Sequence, residues 1–299
     1  MMEQKFRAMN SNITSLGLDE NQQVRLKELF EKFERSASRF IPNNSLSFVN
    51  KSPIGVPVHM VSILADLLDK SLQLSRKVNY YVNPFKGNTI RSIGYADSFQ
   101  NNYQPSFEEA AEETFIEEPI DQLAHQWIIK KRPFTFDFGG FGKGYIVDQA
   151  IQQLKKDQVT NAFVNAGGDL SVISRQQVGI ENPIALGKDI MRFYIKDVSL
   201  ATSGKSFRKW SHNGEKVHHI LNGRTGKVAN NEILQASVIA KTTMEAETIA
   251  KLFCILPFEE TKVFVNKAFP GIAYFVYFEN QTIVVGGNSS LYEELEVAQ

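Results

Sequence analysis

The stretch Asp137-Phe138-Gly139-Gly140-Phe141-Gly142-Lys143-Gly144-Tyr145 decides how this chain is read. Ahead of it, Thr135-Phe136-Asp137-Phe138 reads as a strand. Behind it, Ile146, Val147, Ala150, Ile151 and Leu154 share one face of a helix. A strand entering a helix through a glycine-rich turn places several backbone N–H groups where an anion can dock. Residue identity excludes two familiar phosphate loops. The Walker pattern needs a glycine five before Gly142 and a Ser or Thr after Lys143, but Asp137 and Gly144 stand there. The dinucleotide pattern G-x-G-x-x-G, begun at Gly140, needs a glycine where Tyr145 stands. On the loop alone, a turn that packs a helix close to a sheet is an equally good reading.

Working outward, helical spacing over 20–40 (Leu26, Leu29, Phe30, Phe33, Ala37, Phe40) predicts a helix that Asp19 can cap. A second helix is expected over 58–76. Residues 77–120 are rich in Asn, Tyr, Gly and Ser and acidic at Glu108-Glu109 and Glu112-Glu113, and read as an irregular excursion with short elements. Trp127-Ile128-Ile129 and Ala162-Phe163-Val164 read as strands. Short strands and turns extend to about 240, then come a helix over 243–255 and a closing hairpin from alternating apolar residues at 273–285. There is no fixed-period repeat and no Pro/Ser-rich linker. The expected fold is α+β, a single domain over 1–299 with mixed and antiparallel sheets packed with helices.

Composition narrows the function classes. The 299 residues are 42% hydrophobic and 22% charged, with Lys+Arg and Asp+Glu at 33 each, so the formal net charge is zero. Such a chain has no electrostatic footprint for nucleic acid. No run approaches the ~20 apolar residues of a membrane span, and no signal-peptide core is visible at the start. A cytoplasmic location is the default expectation. One cysteine, Cys254 in an apolar run, excludes an internal disulfide and a multi-cysteine zinc site.

Two further constellations carry chemistry. In His218-His219-Ile220-Leu221-Asn222-Gly223-Arg224-Thr225-Gly226, adjacent histidines on a strand face opposite ways, so at most one serves a given site as a base. Ala201-Thr202-Ser203-Gly204 is a small-residue turn that lets a ligand approach the backbone.

In order, the Asp137–Tyr145 loop, Val164-Asn165-Ala166-Gly167-Gly168-Asp169, Ala201–Gly204 and His219–Gly226 resemble the FAD:protein FMN transferases, the ApbE family. Met9, Ser38-Arg39-Phe40 through Leu46 and Asn50, Asn83-Pro84, Ile93-Gly94-Tyr95 and Gly179-Ile180-Glu181-Asn182-Pro183 extend the likeness over roughly 6–290. The resemblance implies transfer of FMN from FAD to a Ser or Thr hydroxyl of an acceptor flavoprotein, with release of AMP and with Mg²⁺ holding developing charge. Alternatives it leaves open are an FAD pyrophosphatase giving FMN and AMP, and an FAD-binding protein without turnover. Carried over by position, Met9, Phe40, Gly94, Tyr95, Asp137, Lys143 and Ile220 look like FAD contacts, and His219 like the base. Gly140 looks like a carbonyl ligand of the metal.

One helix departs from the pattern. Where the family reads Ala-Asp-Ala-Leu-Ala-Thr, with the Asp and Thr as metal ligands, this chain reads Ala246-Glu247-Thr248-Ile249-Ala250-Lys251. Glu247 keeps a hard oxygen on a longer arm. Lys251 offers a metal no lone pair. Three readings are open: a solvated or lightly buried i,i+4 ion pair, worth ~0.3–0.5 kcal/mol if exposed, an ammonium in the metal's place, or a degenerate flavin binder.

Overall fold

A computed structural model describes residues 3–99, 103–107, 117–212 and 214–298. Glu108-Glu109 and Glu112-Glu113 lie outside the described residues. Contacts divide the chain into two compact units, one of Met1–Phe30, Lys143–Phe207 and Asn230–Gln299, the other of Glu31–Gly142 and Arg208–Ala229.

The chain begins with β1 (Glu3–Ala8), β2 (Ser11–Leu16), α1 (Glu20–Ala37), α2 (Ser45–Lys51), β3 (Pro57–His59), α3 (Ser62–Lys77), α4 (Gly87–Ser92), β4 (Ile120–Ala124) and β5 (Trp127–Lys130). The glycine loop then opens α5 (Gly142–Lys156), after which come β6 (Ala162–Ala166), β7 (Leu170–Ile173), β8 (Arg175–Glu181), β9 (Asp189–Lys196), β10 (Ser199–Gly204), β11 (Lys209–His212) and β12 (Glu215–His218). Last are β13 (Ile233–Ala240), α6 (Thr243–Ile255), α7 (Phe258–Ala268), β14 (Ala273–Phe278), β15 (Ile283–Gly287) and β16 (Glu293–Val297). The α+β class therefore holds.

The first unit is built on an eight-stranded sheet of order β1-β2-β6-β7-β10-β13-β14-β15, antiparallel at every step. A smaller sheet, β16-β9-β8, lays Val178, Met191, Phe193 and Ile195 against Leu200, Ile239 and Phe275 of the large one. Phe193 and Phe275 stack with ring centres 4.8 Å apart. α6 packs on β10 and β13. Its apolar residues run around the whole helix, and Met244, Ala246, Ile249, Leu252 and Phe253 are all buried, as a helix without a polar face must be. At the start of α1 the expected cap is reciprocal: Gln22 N–H donates to Asp19 Oδ1 at 2.8 Å, and Gln22 Oε1 accepts from Asp19 N–H at 2.9 Å.

The second unit carries the sheet β3-β5-β4 and the hairpin β11-β12. Two sequence expectations change here. The helix expected from 58 begins at Ser62, because Pro57–His59 pairs with Trp127–Ile129 as a strand. Thr135–Phe138 is extended but joins no ladder. Its backbone is satisfied by other means: Asn50 accepts from Phe136 N–H at 2.7 Å, Pro84 O accepts from Asp137 N–H at 2.8 Å, and Thr135 O accepts from Gly87 N–H at 3.0 Å. Alternation correctly signals an extended segment, but it cannot tell a ladder from side-chain and loop partners. Among the described residues, no helix is long and apolar enough to cross a membrane.

The junction of α5 with α6, both within the first unit, positions the ionic site. Asp148 accepts Thr243 N–H at 2.7 Å and Met244 N–H at 3.0 Å, closing two of the N–H groups that a helix start leaves open. Gly144 permits this approach, since a Cβ there would lie 2.5 Å from Met244 Cα and 2.7 Å from Met244 N. The obstacle is backbone on a buried helix, which cannot swing aside. Gly144→Ala should therefore cost about 3 kcal/mol, at the upper end of overpacking effects, read as a lowered urea midpoint with an unchanged slope.

Candidate functional site

Two groups of side chains stand out, one in each unit. In the second unit, Arg39 is the centre of an aromatic cluster. Its guanidinium lies 4.1 Å from the Phe40 ring centre and 4.8 Å from that of Tyr95, within the range of cation–π attraction. Its Nε meets Asp137 Oδ2 at 2.9 Å. Asp137 Oδ1 accepts from Gly139 N–H at 2.6 Å, so this carboxylate ties the glycine turn to the arginine. Around buried Tyr95 lie Phe40, Trp210 and His219, with ring centres at 5.6, 5.5 and 6.5 Å. Gly94 makes this packing possible. Its φ is +106°, and a Cβ would sit 2.7 Å from Phe107 Cε1 and 2.8 Å from Trp210 Nε1. His219 comes just after the end of β12 in a bend, half-buried, between buried His218 and Ile220. The His218 Nδ1 accepts from Ile220 N–H at 3.2 Å, so this neighbour has a structural task. Tyr95 and Trp210 are the buried members of this cluster, and Phe40 and His219 its half-buried ones.

In the first unit the group is ionic. Glu247 is 1% exposed; its Oε2 accepts from Gly144 N–H at 2.8 Å and its Oε1 meets Lys251 Nζ at 3.0 Å. Lys143 pairs with Asp169, itself 1% exposed. Burial works against the charged form of Glu247, but the ammoniums of Lys251 and Lys143 and the Gly144 N–H outweigh it and hold the carboxyl below its usual range. The i,i+4 pair of Glu247 and Lys251 is thus present, and it is buried rather than solvated. α6 is buried on nearly every side, so a carboxylate at 247 goes inside with it. Met9 sits in the two-residue β1–β2 turn, with φ of 54° and 53° at Met9 and Asn10. That left-handed geometry suits a tight hairpin but is uncommon for a methionine.

The glycine loop does not offer an open row of donors. Its N–H groups at Gly139, Phe141, Gly142 and Gly144 are taken by Asp137 Oδ1, by Phe138 O twice, and by Glu247 Oε2. The loop instead presents the Lys143 side chain.

The family model described as "ApbE family" matches residues 8–276. The chain belongs to the ApbE family. A Treponema pallidum protein named FAD:protein FMN transferase is 24% identical over 281 residues, covering 84% of this chain and 76% of that protein. The protein of that name from Chlamydia pneumoniae is 25% identical over 245 residues, covering 79% and 77%. A Klebsiella pneumoniae protein of that name is 27% identical, but over 129 residues, 43% of this chain and 41% of that protein. The crystal structure of the ApbE protein of Thermotoga maritima superposes with a TM-score of 0.84 at 19% identity, covering 98% of this chain and 99% of that one. The flavin transferase ApbE from Vibrio cholerae gives 0.78 at 17%, covering 97% of each chain. These likenesses establish the ApbE fold.

Within this family, the metal expectation meets a specific obstacle. Glu247 has one oxygen on an ammonium and the other on a backbone N–H, and the partner position carries Lys251. Among the described residues, no group of three or more His, Cys, Asp or Glu could hold a metal ion. Gly140 lies in the turn before α5. The residues present do not fit Mg²⁺, which demands near-octahedral oxygen coordination. The amino-acid sequence by itself does not single out Trp210, and it leaves Arg39 and Asp169 without a role. The signal for Arg39 is its place next to Phe40 in the ApbE-like segment. Nothing local announces Trp210.

The geometry sets two expected outcomes. Glu247→Gln leaves Lys251 without its counter-ion and should cost about 3 kcal/mol at neutral pH. The Glu247 carboxyl titrates below its ordinary value, so its stabilisation is present above that value and is lost as pH falls through the folded one. The gap between the melting temperatures of the native chain and the variant should therefore close as pH drops below ~4. Gly94→Ala should disturb the Trp210 environment, seen as a shift in tryptophan emission.

Proposed function

We propose that this chain is an FAD:protein FMN transferase. It binds FAD and passes the FMN moiety to a Ser or Thr hydroxyl of an acceptor flavoprotein, releasing AMP. The observation that carries the reading is the pairing of Tyr95 with His219 within one cluster, at 6.5 Å between ring centres: an aromatic face for the flavin nucleotide and an imidazole beside it. The same reading takes residues 1–299 as one functional domain, supported by a family match that runs through both units.

In this reading Phe40, Tyr95, Gly94 and Ile220 shape the binding surface of the second unit, where Asp137 holds Arg39 in place. Lys143 supplies positive charge for the pyrophosphate. The hydroxyl oxygen of the acceptor forms a new bond to the flavin-side phosphorus, and the bond from that phosphorus to the AMP oxygen breaks. The hydroxyl proton passes to the His219 imidazole, and AMP departs as the anion. Without an acceptor, water in the hydroxyl's place would give FMN and AMP. No step is assigned to Mg²⁺, because the Glu247–Lys251 arrangement does not accommodate it. That arrangement also favours a second reading, a flavin-nucleotide binder without turnover.

One assay separates these readings. The full chain is incubated with FAD and an acceptor domain, AMP is monitored by chromatography, and flavin is monitored on the acceptor. Transfer yields AMP with covalent flavin, hydrolysis yields AMP alone, and a binder yields neither while still quenching FAD fluorescence. His219→Ala should lower transfer by about 10²–10⁴-fold, the contribution of a general base, with FAD affinity changed by less than a few-fold. Loss of FAD binding together with transfer would make His219 a ligand contact instead.

A further inference from the structure

We propose that Lys251 is the resident cation of this protein's phosphate site, its ammonium standing where a divalent metal would otherwise be needed. The inference rests on the reading of the chain as an FAD-dependent transferase and goes beyond it by naming the group that meets the pyrophosphate. Four observations within the first unit lead there. Each oxygen of the Glu247 carboxylate already has a partner, Gly144 N–H at 2.8 Å on Oε2 and Lys251 Nζ at 3.0 Å on Oε1, so a metal would have to compete with an ammonium for it. Lys143 is the second cation that acts on this carboxylate, so both ammoniums belong to one neighbourhood. The burial is asymmetric: the side chains of Glu247 and Asp169 are each 1% exposed, whereas those of Lys251 and Lys143 are 14% and 19% exposed. Each pair thus keeps its anion inside and turns its cation outward, so an approaching phosphate meets the positive ends. Finally, the Gly144 N–H at the start of α5 is already spent on Glu247, so phosphate charge must be met by side chains here rather than by the helix terminus.

The charge balance agrees. Two ammoniums against two carboxylates make a neutral quartet that is stable without a ligand. A divalent ion added to it would face two ammoniums at close range without gaining a carboxylate oxygen. A phosphate approaching the same quartet meets the two cations first, because their counter-ions lie deeper. Lys251 is in this sense a binding and charge-neutralising residue, fixed in place by Glu247 as Lys143 is by Asp169.

The test uses the full chain and FAD as the probe. Flavin fluorescence quenching gives the FAD dissociation constant in EDTA and in millimolar Mg²⁺, and the electron paramagnetic resonance signal of Mn²⁺ reports metal capture with and without FAD. The native chain should bind FAD within about twofold of the same affinity in both buffers and leave the Mn²⁺ signal undiminished. Lys251→Met should weaken FAD binding about tenfold in EDTA, with no recovery in Mg²⁺. Circular dichroism verifies that the variant folds, and if it does not, the two-buffer and Mn²⁺ measurements on the native chain decide alone. FAD affinity that collapses in EDTA, capture of Mn²⁺, or a folded Lys251→Met that binds FAD like the native chain overturns the inference and leaves the transferase reading standing. Absence of FAD binding in both buffers overturns both.

Discussion

A carboxylate with almost no exposure to water needs partners supplied by the fold, and Glu247 is the residue on which that demand falls hardest. Its position on α6 forces it inside the first unit, where a charge is tolerated only if it is paired and hydrogen-bonded. The answers come from the N–H of Gly144 and from Lys251 one turn along. The first requires α5 to start within hydrogen-bond reach of α6, which in turn requires a residue without Cβ at 144, since Met244 backbone occupies that volume. Asp148 closes the same junction from the other side by accepting the N–H groups of Thr243 and Met244. The glycine, the two carboxylates and the ammonium thus form one constraint. A change at any of them exposes a cost at the others, so their effects on stability will not add independently.

How much of this is visible in the amino-acid sequence depends on which kind of signal each part emits. α6 and the β14–β15 hairpin are legible because periodic apolar residues state both their element and their buried face. The start of α1 is legible because Asp19 and Gln22 stand at the spacing of a reciprocal cap. Thr135–Phe138 misleads because the partners of its backbone are an asparagine side chain, a proline carbonyl and a glycine N–H far away in sequence. The glycine loop misleads in a related way. Glycines reveal that backbone N–H groups are accessible, but not that the protein itself will claim them.

The site shows the same division. The residues carried by the family resemblance at Phe40, Tyr95 and His219 are gathered in one aromatic cluster of the second unit, although long stretches of chain separate them. The resemblance does not supply the element that holds them. Arg39 lies against Phe40 and Tyr95 while its Nε is fixed by Asp137. A guanidinium so placed orders the two rings and links them to the turn that precedes α5. Asp137 therefore has a positioning task within the second unit that is distinct from any contact with a ligand.

The resemblance sets Glu247 and Lys251 against the family's Asp and Thr, and with Lys251 as the proposed cation this becomes a change in where charge comes from. A site that borrows a divalent ion needs open oxygen donors held in a near-octahedral set, and those donors are mutually repulsive until the ion arrives. A site with an intrinsic ammonium needs the reverse: its carboxylate must be closed off, so that it fixes the lysine without competing with the phosphate for it. A longer acidic side chain serves the second arrangement better, because it can reach the Gly144 N–H and the ammonium of the next turn together. Glutamate in place of aspartate and lysine in place of threonine are then not two separate losses of metal ligands. Each makes sense in the presence of the other, and a glutamate without the lysine would leave a buried charge that the Gly144 N–H alone could not support.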